Sequence, residues 1–407
     1  MAFPVCALLG ENRIGKRDTV PDPDLIHLAV ALDGTGWHPA AWREPDARPH
    51  DLLTAGYWAD LVGTAEQGLL DLVTFEDGLA LQSDHPWRSD ERTDRVRGRL
   101  DAVLIASRVA PTTRHIGLIP TAITTHTEPF HLSKAIATLD YVSSGRAGVR
   151  VQISASPEAA GHFGRREIGE RSPALTDDLI GEAADYIEVL RRLWDSWEDD
   201  AEIRDVRTGR FIDRNKLHYI DFEGAHFSVK GPSITPRPPQ GQPIVAALGH
   251  VDPVYQLIAG GTDLGFVTPH STDETAALVD TIAAQRPAGL ASVRVFADLV
   301  VFLADTSAVA HARKARLDER LGAEYRSDAE IFVGTAAELA DLLQQWHAAG
   351  AAGFRLRPAT LPHDLTQITD TLVPELRRRG VFRDHYQGST LRDLLGLSRP
   401  ANRYAGV

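Results

Sequence analysis

The sequence predicts an α/β fold of the (β/α)8 TIM-barrel class with insertion segments, in a single domain spanning residues 1–407. Three observations carry the prediction. Short β-rich runs alternate with longer segments of helical period, the pattern of repeated β-α units that build a parallel sheet. Eight such runs can be counted, the number that closes a barrel. The alternation breaks at length only once, between Glu198 and Gln242, and that break reads as an insertion on the barrel.

In chain order the strands are expected at Ile26–Asp33, Asp71–Glu76, Ile116–Thr121, Ala147–Ile153, Pro243–Leu248, Gly265–Thr268, Val293–Leu303 and Gly353–Arg357. Helices are expected between them, among others at Asp51–Gln67, Arg99–Val109, His131–Val142, Asp177–Trp197 and Thr335–Ala349. The insertion opens on an acidic run (Glu198, Asp199, Asp200), holds a hairpin-like stretch around His218–Val229 and leaves through Pro236, Pro238 and Pro239. The tail from Leu365 to Arg379 reads as a final helix; Arg377, Arg378 and Arg379 complement its dipole and Gly380 stops it. An open, doubly wound sheet competes with the barrel, because periodicity does not reveal whether the first strand pairs with the eighth.

Composition narrows the function. With 43% hydrophobic and 24% charged residues, the chain resembles an average globular protein and can bury a core without staples. The single cysteine, Cys6, cannot form an internal disulfide, which points to a reducing, cytoplasmic setting. The apolar stretch Ala2–Leu9 lacks a preceding basic residue and runs into Glu11-Asn12-Arg13, so no export signal is read. No run approaches the ~18 apolar residues of a membrane helix. A net charge of −13 opposes binding to nucleic acid or anionic lipid, leaving a small molecule as the expected ligand.

Catalytic groups of a parallel barrel come from the C-terminal ends of its strands. Those positions hold Asp33, Trp37, His38, Trp42 and Arg43 after the first strand, then Glu76 and Asp77 after the second. Thr121, Thr124, Thr125 and His126 follow the third strand, and Arg150, Gln152, Ser154 and His162 the fourth. Gly249 and His250 follow the fifth, and His270 the sixth. So many histidines invite a metal-dependent hydrolase, but no H-x-H pair stands on the first strand and no H-E-x-x-H occurs, so no metal ligand is assigned. Glu76 or Asp77 as a hydrolytic acid is weaker still, because carboxylates at loop starts commonly cap helices. There is no G-x-S-x-G elbow. Gly34-Thr35-Gly36 begins a dinucleotide turn, but Pro39 takes the third glycine's place, so the chain has no nicotinamide site of its own.

Several segments, in order, carry a family resemblance: Gly36-Trp37-His38-Pro39-Ala40-Ala41-Trp42-Arg43, Thr121-Ala122-Ile123-Thr124-Thr125-His126-Thr127-Glu128-Pro129-Phe130-His131-Leu132, and Leu139-Asp140-Tyr141-Val142-Ser143-Ser144-Gly145-Arg146-Ala147-Gly148. Leu193-Trp194-Asp195-Ser196-Trp197, Phe227-Ser228-Val229-Lys230-Gly231-Pro232, Pro239-Gln240-Gly241-Gln242-Pro243 and Leu372-Val373-Pro374-Glu375-Leu376 follow. Across almost its whole length the chain resembles the luciferase-like flavin monooxygenases, within them the nitrilotriacetate and dibenzothiophene-sulfone monooxygenase group.

The resemblance implies a two-component enzyme. Reduced FMN would come from a separate flavin reductase and react with O2 to a C4a-peroxide, and one oxygen atom would enter a small organic substrate. It further implies a homodimer and a non-proline cis peptide within Thr121–Ile123. Position by position, it implies cofactor contacts from Asp77, Thr121 and Thr124; His162, after the fourth strand, is a further cofactor-binding candidate. His38 falls on the substrate side, with packing against Trp37 and Trp42 as the other reading, and His126 stands where a tyrosine is usual. The departures are also specific: Val149-Arg150 replaces Trp-Asn, Thr176 and Ile180 replace a His-x-x-x-Tyr pair, and Ala246-Ala247-Leu248-Gly249-His250 replaces a loop whose serine holds phosphate. Gly249 and His250 remain phosphate candidates through backbone N–H groups at a helix start. Coenzyme F420 in place of FMN, or a barrel without flavin chemistry that serves as a partner subunit, are the alternatives. Arg150, flanked by apolar Val149 and Val151, is expected to point into the barrel and to need an anion: the flavin, an acidic substrate, or a carboxylate such as Asp77 or Glu76.

Overall fold

A computed structural model describes residues 25–83 and 90–406; Cys6 and the Ala2–Leu9 stretch lie outside them. The described chain begins with β1 (His27–Leu32), α1 (Ala55–Gln67), β2 (Leu72–Phe75), α2 (Ala102–Val109), β3 (Gly117–Ile123), α3 (Pro129–Val142) and β4 (Gly148–Gln152). Next come α4 (Pro157–Phe163), the long α5 (Pro173–Asp195), and two small hairpins, β5 (Glu202–Asp205) with β6 (Arg210–Ile212) and β7 (Phe222–Glu223) with β8 (Ser228–Val229). The alternation resumes with β9 (Ile244–Leu248), α6 (Asp252–Gly261), β10 (Leu264–Val267), α7 (Thr272–Ala284), β11 (Arg294–Leu303), α8 (Ser307–Leu321), β12 (Glu330–Gly334), α9 (Ala336–Ala348) and β13 (Gly353–Pro358). The tail carries α10 (His363–Gln367), a π-turn, α11 (Val373–Arg378) and α12 (Leu391–Leu394).

The sheet is a closed parallel ring, β1-β2-β3-β4-β9-β10-β11-β13, and the pairing of β1 with β13 from His27↔Gly353 to Val30↔Leu356 closes it. That pairing rules out the open sheet. One strand was not anticipated. β12 pairs with the upper half of β11, Leu299–Leu303, while the lower half, Arg294–Ala297, pairs with β10. One edge of β11 therefore serves two neighbours, which accounts for its ten-residue length. The expected cis peptide is also corrected. Among the described residues the cis bonds are Gly231–Pro232 and Leu361–Pro362, whereas Thr121–Ile123 continues a regular parallel ladder against Arg150–Gln152.

The lower barrel is filled by Ala29, Leu72, Ile119, Ile244, Leu264 and Phe296, with Leu391 and Leu395 packed against them as a plug. Gly117 makes room for that plug, since a Cβ there would lie 2.4 Å from Leu391 Cδ1. Outside the ring, larger apolar clusters fill the space between strands and helices, one of them around Leu28, Val30, Leu61 and Trp346 and another around Val149, Tyr186, Val245 and Ile258. Helix starts follow their caps: Thr54, Asp101, Ser172 and Thr335 each accept a backbone N–H, and Thr335 with Glu338 forms a reciprocal box. The acidic run of the insertion is partnered locally, Glu198 with His218 at 2.8 Å, Asp199 with Arg237 at 2.9 Å, and Asp200 with Lys216.

Candidate active site

Because strand side chains alternate, every second residue of a barrel strand faces inward. Above the apolar filling this places Thr74 and Glu76, Thr121, Arg150 and Gln152, Asp298, and Arg355 and Arg357 around one interior layer. These polar groups form one network. Asp298, fully buried, accepts from Arg355 Nε and Arg357 Nε at 2.9 Å each. Arg357 continues to Asp328 at 2.7 Å, and Arg355 Nη1 stands 3.6 Å from Glu76 Oε1. Arg150 pairs with Glu76 and donates to Thr121 Oγ1 at 3.0 Å and Gln152 Oε1 at 3.2 Å.

Three buried guanidiniums therefore meet two buried carboxylates, Glu76 and Asp298, and the exposed carboxylate of Asp328. Two of the cations also cover rings, Arg355 over Phe266 at 4.2 Å and Arg357 over Trp37 at 4.5 Å from the centroids. Burial pushes Glu76 up, but Arg150, Arg355, Arg99 and Arg357 outweigh it and hold the carboxyl below its usual range. Burial lowers Arg150 to about 10, so it remains a cation at neutral pH. One buried acceptor, Glu76 Oε1, has no hydrogen-bond partner.

Over this layer opens a cavity of about 450 Å3 at the C-terminal mouth of the barrel. Trp37, Glu76, Arg150 and Gln152 line its depth; Ile153, Leu175, Leu179, Ile180, Val254 and Leu257 supply apolar walls; Arg171, His250, Asp328 and Arg357 add polar groups. A mostly apolar cleft of this size with a few convergent polar groups is the usual form of a cofactor site. Three departures noted in the sequence, Arg150, Thr176 with Ile180, and Leu248 with His250, all converge on it.

The other candidates are distributed differently. Thr121 is buried beneath Arg150 and bonded to it. Thr124 is buried too, its N–H and hydroxyl both directed to the Gln152 carbonyl, at 2.8 and 3.3 Å. Asp77 turns away from the cavity lining: its carboxylate accepts from Gly78 N at 2.7 Å and from Ala102 N at 3.0 Å, at the start of α2. His38 is buried, receives Ala40 N at 3.0 Å on Nδ1 and meets Asp318 at 3.1 Å through Nε2. Its ring packs on Phe302 and Tyr325, not on Trp37 or Trp42. His126 adopts a left-handed backbone (φ 75°), stacks on Phe163, and keeps a buried Nε2 without a partner. His162 is exposed on α4 and outside the cavity lining.

Gly249 gives its N–H to Phe266 O at 2.9 Å, and a Cβ there would meet the Tyr255 ring at 2.8 Å, so its role in the fold is close packing. His250 reaches the cavity and holds Thr268 Oγ1 at 3.1 Å. Sequence reasoning missed Asp298, Arg355 and Arg357. Their signal was present: charges at alternating positions of strands whose other residues, such as Phe354 and Leu356, are apolar.

Residues 51–353 match the family model of the luciferase-like monooxygenases. The chain belongs to the luciferase-like monooxygenase family. It is 32% identical to N-acetyl-S-(2-succino)cysteine monooxygenase of Bacillus subtilis (strain 168), over 93% of this chain and 98% of that protein. It is 31% identical to nitrilotriacetate monooxygenase component A of Aminobacter aminovorans, over 93% and 98%. Among solved structures, long-chain alkane monooxygenase superposes with a TM-score of 0.81 at 24% identity, over 91% of this chain and 95% of that one. A riboflavin lyase solved with modified FMN and riboflavin superposes with a TM-score of 0.81 at 25% identity, over 93% and 97%. For this luciferase-like monooxygenase, a flavin-dependent oxygenation is supported over the barrel hydrolase and over a barrel that has lost flavin chemistry. Among the described residues no helix is long and apolar enough to cross a membrane.

Proposed function

We propose that the chain is the oxygenase component of a two-component system in the cytoplasm, working as a homodimer with reduced FMN delivered by a separate reductase. The observation that carries this reading is the 450 Å3 cavity, in which apolar walls face a layer of guanidiniums. The residues fit a flavin. Leu179, Ile180, Val254 and Leu257 would hold a flat ring, Arg150 and Arg357, each already ion-paired, would offer N–H donors to its polar edge, and His250 and Arg171 would serve a phosphate. The start of α6 offers a phosphate few donors, because Pro253 carries no N–H and Val254 N and Tyr255 N are both spent on Val251 O, and Asp252 in its first turn weakens that end further. The riboflavin lyase described with modified FMN supports FMN over coenzyme F420, and the name "component A" of the nitrilotriacetate relative supports a separate reductase.

Bound there, a reduced flavin supplies the activation of O2 that protein side chains cannot. The chain's own residues would orient the ring, exclude water through the apolar walls, and keep the cation layer in place beneath it. The roles of His38, His126, Asp77, Thr121, Thr124, His162 and Gly249 in this reading are supporting ones, since none of them lines the cavity. Anaerobic titration of the purified chain with reduced FMN tests it: binding with a Kd in the micromolar range or tighter is expected. Failure to bind either reduced FMN or reduced F420 would overturn the assignment.

A further inference from the structure

Glu76 lines two cavities. On one side is the main cavity; on the other is a smaller chamber of about 170 Å3 walled by Leu52, Leu53, Trp58, Val96 and Leu100. The indole N–H of Trp58 is spent on Leu52 O at 2.9 Å, so its ring offers the chamber an apolar face. Each charged side chain at the chamber already has an opposite partner: Arg99 holds Asp33 at 3.1 Å through Nε, Arg97 pairs with Asp90, and Glu76 pairs with Arg150. Two carboxylates and two guanidiniums in the lining cancel. An added carboxylate would find no spare cation and would sit beside Asp33 and Glu76, which makes anion binding unfavourable. Size sets a second limit: a closed apolar cavity of roughly 150 Å3 holds one benzene ring, and this chamber, open to solvent beside Leu53, offers a comparable volume. A third cavity, of about 180 Å3, adjoins the chamber and shares Asp33, Gly34, Val96, Arg97 and Arg99 with it, but Thr35, His38, Gln82 and Arg95 make the rest of its wall polar and it does not reach Glu76.

We propose that the chamber behind Glu76 is the substrate site, and that it takes an uncharged organic molecule about the size of one benzene ring. This rests on the reading that the main cavity holds the flavin, with Glu76 as the wall the two sites share. It separates this chain from a relative named for the polyacid nitrilotriacetate.

Calorimetric titration of the full flavin-free chain with toluene, beside a fluorescence titration with FMN, tests the assignment. Leu52→Trp, which fills the chamber, should weaken toluene binding at least tenfold, whereas Leu179→Trp, which fills the main cavity, should weaken FMN binding at least tenfold and spare toluene. Val96→Phe replaces Leu52→Trp if that variant loses its cooperative melting. The proposal is overturned if the wild-type chain does not bind toluene, if toluene follows Leu179→Trp instead of the chamber variants, or if citrate displaces toluene. Loss of FMN binding by the wild-type chain with toluene behaviour as expected would overturn the flavin reading and with it the chamber's role as substrate site, leaving only its preference for an uncharged ring.

Discussion

Arg150 of β4 and Glu76 at the end of β2 form an ion pair across the barrel mouth, with Thr121 of the intervening β3 accepting from the same guanidinium at 3.0 Å. Both partners are nearly buried, at 3% and 10% side-chain exposure. Removing one leaves the other charged and desolvated, whereas removing both does not.

Arg150→Met should therefore destabilise the chain by about 3 kcal/mol, the lower end for a broken buried pair, because Arg355 remains 3.6 Å from Glu76. Adding Glu76→Gln should restore most of that loss. Urea unfolding of the two single variants and the double variant measures the coupling. A single-variant loss below about 0.5 kcal/mol would show that the pair is not a structural element.

His38 is expected to act through packing. Its two ring nitrogens are engaged by Ala40 N and Asp318, and burial keeps its pKa below the usual histidine value. His38→Ala should cost about 2 kcal/mol of stability, from lost hydrogen bonds and ring contacts, and leave FMN affinity unchanged. Unaltered melting with a specific loss of turnover would return His38 to the substrate side.

Acid should loosen the barrel through Asp263. Its carboxylate holds Arg191 at 3.0 Å, Arg392 at 2.9 Å and Val245 N at 3.0 Å; burial alone would raise it, but the two arginines pull it down to about 2. The folded value lies below the unfolded one near 3.8, so its stabilisation is complete above that pH and is lost as pH falls through about 2. The amount is on the order of 2 kcal/mol. Denaturation midpoints of Asp263→Asn should vary less with pH across this window than those of the wild type; equal slopes would refute the assignment.

Isolated from any reductase, the chain should not oxidise NADH in the presence of FMN and O2, because its Gly34-Thr35-Gly36 segment does not complete a dinucleotide turn. Addition of a flavin reductase should start consumption of both. Substantial NADH turnover by the chain alone would contradict the two-component reading.

Much of the architecture was legible because it is written in local periodicity. All eight ring strands fall on the runs read from the sequence, and the insertion from Glu198 to Gln242 coincides with the two hairpins. β12 was missed because Glu330–Gly334 is five residues long and only partly buried over most of them. Asp77 shows the opposite difficulty: a carboxylate after a strand looks alike in sequence whether it faces a ligand or caps the next helix, and here it bonds Ala102 N.

The sequence by itself determined the order of the eight ring strands, the family resemblance, and the inward direction of Arg150, since alternation with Val149 and Val151 is a property of one strand. It also restricted the anion for that cation to a short set that included Glu76. Only the tertiary structure decided that β1 closes on β13, that Glu76 and not Asp77 meets Arg150, and that Thr176, Ile180 and His250 share one cavity. The physical reason is range. Alternation tells which face a residue occupies, but the residue opposite it is set by the register of other strands, and those strands lie far away along the chain.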